Sequence, residues 1–284
     1  MRLPDVKQLF LQRAERFRQL ASKRSSIAGY LSLMAELAQA QHSTLDGFPL
    51  VTFPDETHVK LSLEHRLPPL NSVSWPRDPA WQEALRQIID RFKPQEAPVA
   101  AILNKLKAAS ADELENWADR LLAWDFAAVD VGSAPFLAAA LQIYWTAMIG
   151  RLDSRGLAQL EQQNRCPVCG SHPVASILET GGAIQGRRYL CCSLCASEWN
   201  LGRIQCGNCG ASQGIAYYEV DGMGEAVKAE SCDACKTYLK VMNREKDIRV
   251  EAFADDLGSV TLDLLMAEAG FQRFGINPLL IPVG

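Results

Sequence analysis

Apolar residues in the first half of the chain recur mainly at intervals of three and four, the spacing of one face of an α-helix. This pattern predicts a helix within residues 5–21 and another within residues 27–37. A third helix is predicted to begin at Asp78-Pro79. A fourth opens with Ser110-x-x-Glu113, the sequence of a capping box. The first half is therefore predicted to be all-α.

One segment, APFLAAALQIYWTAMIG at residues 134–150, is apolar on nearly every side. It is 17 residues long and is interrupted by Gln142 and Thr146, whereas a membrane-spanning helix needs about 20 predominantly apolar residues. We therefore predict a helix buried at the centre of the helical domain, with Ser133 as its N-cap and Pro135 in its first turn. No contact with a membrane is expected.

A proline-rich stretch over residues 49–78 breaks the helical spacing and predicts a long irregular loop. His58 and His65 lie in it, and His42 precedes it. Because their spacings of 16 and 7 match no local ligand pattern, we expect these histidines to be solvated or locally hydrogen-bonded. The first half shows no catalytic constellation.

The composition is that of an ordinary globular protein, with 48% hydrophobic and 22% charged residues among 284. That length favours two domains. The formal charge of −4 provides no general attraction to nucleic acid or to anionic membranes. The N-terminus, MRLPDVKQLF, lacks a basic head followed by an apolar run, so no secretory signal is expected.

The nine cysteines are confined to residues 166–235, and eight of them form CxxC pairs. The third and fourth pairs follow the first and second by 40 residues, and Gly170 and Glu179 match Gly210 and Glu219 at the same interval. This arithmetic indicates a tandem duplication of a small module. Each module is predicted to be a knuckle, a β-hairpin and a second knuckle, with turns at Gly181-Gly182 and Asp221-Gly222. The pairs are Cys166/Cys169, Cys192/Cys195, Cys206/Cys209 and Cys232/Cys235.

The spacing predicts two metal sites, because two CxxC turns supply four thiolates in a tetrahedron. Disulfides, a thioredoxin-like redox pair and an iron–sulfur cluster are the competing interpretations, and the fourfold repeat favours single ions over all three. Four thiolates hold zinc or one iron equally well. CPVCG at residues 166–170 resembles a rubredoxin knuckle as much as a zinc-ribbon knuckle, and spacing alone favours zinc. Gly170 and Gly210 suit a left-handed backbone after the second cysteine of a pair.

The ninth cysteine, Cys191, makes a triplet with Cys192 and Cys195. In the repeat it aligns with Ser231, so we predict that it is not a ligand. Its spacing to Cys195 also allows it to compete for the first site, and that alternative stays open.

Charge and coordination restrict the function. Residues 166–250 contain nine Lys or Arg and nine Asp or Glu, which argues against nonspecific phosphate binding. Sites closed by four cysteines leave no position for a metal-bound water. His172, near the first knuckle, is expected at the surface or beside a ligand rather than as an acid–base group. The residues alone therefore indicate a binding or assembly factor, not an enzyme.

Several longer motifs resemble the formate dehydrogenase accessory protein family, the FdhE proteins. They are CPVCGSHPV at 166–174, GRRYLCCSLCASEW at 186–199, the pair at 206–209, KAESCDACKTYLK at 228–240 and INPLLIP at 276–282. FLQRAERFRQLA near residues 10–21 and APFLAAALQIYW at 134–145 are also similar.

The resemblance implies a cytoplasmic maturation factor that is required for active respiratory formate dehydrogenase and contacts its catalytic subunit before export. It also implies rubredoxin-like iron binding, which makes iron the favoured ion and zinc the alternative. One ion would be bound by the first two cysteine pairs and the other by the last two. The alternative function is a generic zinc-ribbon adaptor for protein or nucleic acid.

The predicted fold is α+β in four parts. An all-α domain (1–165) precedes two rubredoxin-like or zinc-ribbon modules of small antiparallel β-structure (166–205 and 206–250). A C-terminal helix and tail (251–284) are expected to pack back on the helical domain. Leu257, Val260, Leu264 and Phe271 are predicted to share one face of that helix.

Overall fold

A computed structural model describes residues 1–94, 96–126, 129–153, 157, 160, 162–179, 186–222 and 224–280. Helices precede a small sheet, and two short helices separate its last strand from the others. The helices are α1 (Leu9–Ala21), α2 (Ala28–Leu45), α3 (Glu56–Glu64), α4 (Ala80–Arg91), α5 (Ala97–Ala108), α6 (Ala111–Leu122), α7 (Ala134–Ile149), α8 (Ala252–Gly258) and α9 (Val260–Glu268). The strands are β1 (Pro173–Leu178), β2 (Arg188–Cys192), β3 (Glu198–Leu201), β4 (Ile215–Tyr218), β5 (Val227–Cys232), β6 (Thr237–Asn243) and β7 (Gln272–Arg273).

The central helix of the first half is α7, and all of its 16 residues except Ala147 are buried. It packs against α2, α4 and α6, which confirms the predicted buried helix. Ser133 stands at the N-cap position but does not cap α7, because its hydroxyl donates to the Asp130 carboxylate at 2.6 Å. In the described part of the chain, no helix has both the length and the apolar character needed to cross a membrane.

The proline-rich stretch contains a helix that the sequence pattern did not predict. Helix α3 begins after Asp55, whose carboxylate accepts a hydrogen bond from the His58 N–H at 2.7 Å. This cap offsets the weak apolar periodicity of the segment. The capping box of α6 is present as predicted, with Ser110 and Glu113 exchanging both hydrogen bonds.

The two cysteine-rich modules share one sheet, in the order β3-β2-β1-β6-β5-β4. Each module contributes three antiparallel strands, and a parallel pairing of β1 with β6 joins the two sets. Buried Arg188 strengthens the junction by donating to Ser176 Oγ at 2.6 Å and to the Glu230 carboxylate at 2.7 Å. The predicted turn at Gly181-Gly182 lies outside the described residues.

The C-terminal segment forms two helices where the pattern predicted one. The chain breaks at Ser259 (φ −121°, ψ 32°), whose hydroxyl donates to the Asp255 carbonyl at 2.7 Å. The predicted common face is therefore wrong, and Leu264 is 63% exposed. Phe271 packs in a small core with Ala229 and Tyr238 of the second module.

Helix α8 packs against α1. Arg16 forms two hydrogen bonds to the Asp255 carboxylate, at 2.6 and 2.8 Å. Arg13 donates to Glu251 at 3.0 Å. The helical half, the first module and α8 share one continuous hydrophobic core.

Candidate metal centre

Four cysteines from the two ends of each module meet in a cluster. In each cluster the Sγ atoms all lie within 4.8 Å of one another. Close contacts join cysteines of different pairs: Cys169 and Cys192 lie 3.4 Å apart in the first cluster, and Cys209 and Cys232 lie 3.7 Å apart in the second. The first cluster comprises Cys166, Cys169, Cys192 and Cys195, and the second comprises Cys206, Cys209, Cys232 and Cys235.

These separations fit an ion held by four thiolates. A zinc–sulfur bond of about 2.3 Å in a tetrahedron places the sulfurs roughly 3.8 Å apart. A disulfide would need about 2.05 Å, and all nine cysteines are free thiols. Two four-cysteine clusters could therefore hold two metal ions, and the geometry does not distinguish iron from zinc.

Each cluster is built on tight turns. Gly170 and Gly210, one residue after a CxxC pair, have left-handed φ values of 76° and 78°, as predicted. The corresponding positions after the other two pairs are Ala196 and Lys236, at φ 55° and 53°. A non-glycine residue rarely adopts this conformation, so these two turns could not be predicted from the residue types.

Hydrogen bonds surround the sulfurs. The N–H groups of Leu194 and Cys195 each point at Cys192 Sγ, at 3.4 Å. In the second cluster, the N–H of Asn208 lies 3.4 Å from Cys206 Sγ. Such donors stabilise the thiolate form that a metal requires.

A hydroxyl also contacts one sulfur of each cluster. Ser197 Oγ lies 3.2 Å from Cys195 Sγ, and Thr237 Oγ1 lies 3.1 Å from Cys235 Sγ. Sequence reasoning missed these residues, although their 40-residue separation matches that of the repeat and was a usable signal. If a metal ion displaced the thiol proton and bound the sulfur, the hydroxyl could donate a hydrogen bond to that sulfur.

The pKa values of the thiols differ within the clusters. Burial raises the pKa of Cys166 and Cys192 well above the ordinary value. Burial raises the pKa of Cys206 to about 12. Burial also opposes ionisation of Cys235, but hydrogen bonds, first those with Thr237 and then those with the neighbouring thiols, outweigh it and lower the pKa of Cys235 to about 7. A metal ion must therefore displace protons from the buried thiols.

Cys191 does not join the first cluster. It is adjacent to Cys192 in β2, so the two side chains point to opposite faces of the sheet. Cys191 instead lines a cleft of about 810 Å³ between α1, the sheet and α8, together with Glu198 and Arg244. Burial raises the pKa of its thiol well above the ordinary value.

His172 lies between aromatic rings rather than among the sulfurs. Its ring centroid is 4.5 Å from that of Trp124 and 5.4 Å from that of Phe274. Burial, followed by the charge of Arg165, lowers its pKa to about 4. Of the other histidines, His58 stacks edge-on against Trp75.

Comparisons with known proteins agree on one family. Three family models match the chain: FdhE, N-terminal over residues 1–162, FdhE, central domain over 165–203, and FdhE, C-terminal domain over 204–280. A protein FdhE homolog of Klebsiella pneumoniae strain 342 is 43% identical over 281 residues, covering 98% of this chain and 90% of the relative. A protein FdhE of Escherichia coli strain SMS-3-5 is 42% identical over the same shares.

The fold agrees with a solved structure. The crystal structure of the FdhE protein from Pseudomonas aeruginosa superposes with a TM-score of 0.90 at 36% identity, and the match covers 98% of each chain. The chain therefore belongs to the FdhE family.

Proposed function

We propose that this chain is an accessory factor for the maturation of respiratory formate dehydrogenase, and that it does not itself oxidise formate. In this proposal it binds the catalytic subunit of that enzyme in the cytoplasm before export. The observation that carries the proposal is the match to FdhE models along almost the whole chain, with both four-cysteine clusters complete.

The chemistry of the clusters supports a non-catalytic role. Four cysteines fill the coordination shell of a tetrahedral ion and leave no open position for a reacting water. Sites of this kind stabilise a fold or carry an ion or an electron. We propose that each cluster holds one ion, and that the ion is iron, with zinc as the alternative; the preference for iron rests on the family resemblance.

We also propose a division of the chain into four parts: 1–165, 166–205, 206–250 and 251–284. The two middle parts each contain one cluster and three antiparallel strands. Support for the last part comes from α8, whose Asp255 carboxylate binds Arg16 of α1.

Co-purification tests the partner. The tagged full-length chain is incubated at low salt with the immature catalytic subunit of formate dehydrogenase, and the retained protein is identified. We expect retention of the subunit, and its loss in the double variant Cys206→Ala with Cys209→Ala. Cys191→Ser is the matched control, because this cysteine lies outside both clusters. Failure to retain the subunit would contradict the proposal and leave the generic adaptor as the better description.

A further inference from the structure

The two clusters arise from one repeat but have different environments. All four cysteines of the first cluster are completely buried, each at 0% exposure. In the second cluster Cys209 is exposed and Cys235 is half-buried. Because the ligand spacing is the same in both modules, the difference comes from what packs against each cluster.

The helical domain seals the first cluster. The N–H of Ser72 donates to the carbonyl of Cys169 at 2.8 Å. From α7, the Gln142 side chain donates to the carbonyl of Ser193 at 2.9 Å. Both contacts go to backbone groups inside the CxxC turns, so the turns cannot open without breaking the contact with the domain.

The two matched glycines show the same contrast. A Cβ atom added at Gly170 would meet Pro68 Cγ at 3.3 Å and Asn71 Nδ2 at 3.6 Å, both from the helical domain. Among the residues that the structure describes, a Cβ atom added at Gly210 would meet only Gln205 Nε2, at 3.4 Å. The glycine position after the first CxxC pair of each module is thus covered by the helical domain in the first module and not in the second, as far as the described residues show.

We propose that the second cluster is a site of ion exchange, open to thiol ligands from solution through Cys209, and that the first cluster holds its ion as a fixed structural element. This goes beyond the proposed accessory role, since exchange is a property of the isolated chain. It rests on the assignment of the two ligand sets.

Exchange at Cys209 is a ligand substitution. An incoming thiol loses its proton and forms a bond to the ion through sulfur, while the bond between the ion and Cys209 breaks. The proton goes to the Cys209 sulfur. The ion would have the same oxidation state and four sulfur ligands before and after the exchange, so no oxidant or reductant is needed. The buried sulfurs of the first cluster offer an incoming thiol no comparable approach.

Release of Zn²⁺ from the full-length chain tests this proposal. The protein is loaded with two Zn²⁺ per chain and mixed with glutathione and a metallochromic chelator, 4-(2-pyridylazo)resorcinol, whose colour reports released Zn²⁺. We expect two phases of one ion each, with the first at least tenfold faster than the second. Cys209→Ser, which lacks one thiolate of the second cluster, should load one Zn²⁺ and release it only at the slow rate of the first cluster. Cys191→Ser should load two Zn²⁺ and release them in both phases.

Alkylation provides a second measurement that does not depend on a variant folding. The Zn²⁺-loaded protein is treated with iodoacetamide, and the labelled cysteines are mapped by mass spectrometry. We expect Cys209 to be labelled before any cysteine of the first cluster. Equal release rates, a fast phase that persists in Cys209→Ser, or earlier labelling of the first cluster would each overturn the proposal. Loading of fewer than two Zn²⁺ by the protein without substitutions would also overturn it. Failure to retain the catalytic subunit in the co-purification experiment would contradict only the proposed function.

Discussion

Gln142, in the middle of the most apolar helix of the chain, donates its side-chain amide to the Ser193 carbonyl in the second knuckle of the first module, at 2.9 Å. Its carbonyl oxygen accepts from Arg13 at 3.0 Å and from Gln41 at 3.1 Å. One buried side chain thus joins α1, α2 and the first metal module. The interruption in the apolar run therefore connects the helices of the first half to the first cysteine cluster.

Replacing Gln142 with leucine should destabilise the protein by about 2–4 kcal/mol, because the buried Arg13 and Gln41 donors and the Ser193 carbonyl lose their partner. The free energy of unfolding in denaturant measures this. Gln12→Leu, at an exposed position of α1, is the control and should change it by less than about 0.5 kcal/mol. Equal effects of the two variants would show that the Gln142 network contributes little.

Buried polar contacts such as those of Gln142 could not be predicted from the sequence, whereas the apolar faces of helices could. Apolar spacing is a local property, so α4, α6 and the burial of α7 could be predicted from it. The helix is interrupted at Ser259, whose hydroxyl donates a hydrogen bond to the Asp255 carbonyl. The spacing of apolar residues carries no information about such a polar contact. Asp55, which caps α3, is of a residue type that favours helix N-caps. The prolines on both sides of it nevertheless led to the prediction of a loop.

The cysteine clusters, too, could be predicted in part. The grouping of eight cysteines into two clusters could be predicted because CxxC spacing is local and repeats at 40 residues. The parallel pairing of β1 with β6 joins segments about 65 residues apart, for example Ser176 with Val241, and has no local signature. The unequal burial of Cys169 and Cys209 likewise depends on contacts with residues far away in the sequence, such as Ser72 at Cys169.

The buried ion pair at the junction of the modules yields a second prediction. Arg188→Met should destabilise the protein by about 3–5 kcal/mol, because Glu230 would remain buried without its cation. Adding Glu230→Leu should recover most of the loss. The exposed pair Lys228–Glu219 is the control, and Lys228→Met should cost at most about 1 kcal/mol. A double variant no more stable than Arg188→Met would contradict this explanation.

Metal content distinguishes Cys191 from its neighbour. Cys191→Ser should retain two ions per chain, because its side chain points away from the first cluster. Cys192→Ser should retain one ion, held by the second cluster. Elemental analysis of the purified variants measures both, and the visible spectrum identifies ferric thiolate or colourless zinc. The reverse pattern would make Cys191 a ligand.

The pH dependence of stability should show the effect of His172. Its pKa is about 4 in the folded chain, against an ordinary value of 6.5. As the pH falls through 6.5 the unfolded chain binds a proton that the folded chain does not, so stability declines until the pH reaches about 4. After allowance for solvent screening, the loss should be about 2 kcal/mol.

His172→Phe is the variant that isolates this effect, since a phenyl ring can pack between Trp124 and Phe274. The unfolding free energies of both proteins are compared at pH 7 and pH 4, so that acid effects on the clusters are common to both. The variant should lose about 2 kcal/mol less than the wild type. Identical losses would mean that His172 is protonated in the folded chain.

Formate oxidation in cells that lack this chain tests the accessory role most directly. The catalytic subunit of formate dehydrogenase is quantified by immunoblot, and formate-dependent dye reduction is measured in the same cells. We predict that the subunit is synthesised but inactive, and that the restored chain recovers the activity. Full dye reduction without the chain, at the same level of subunit, would contradict the account.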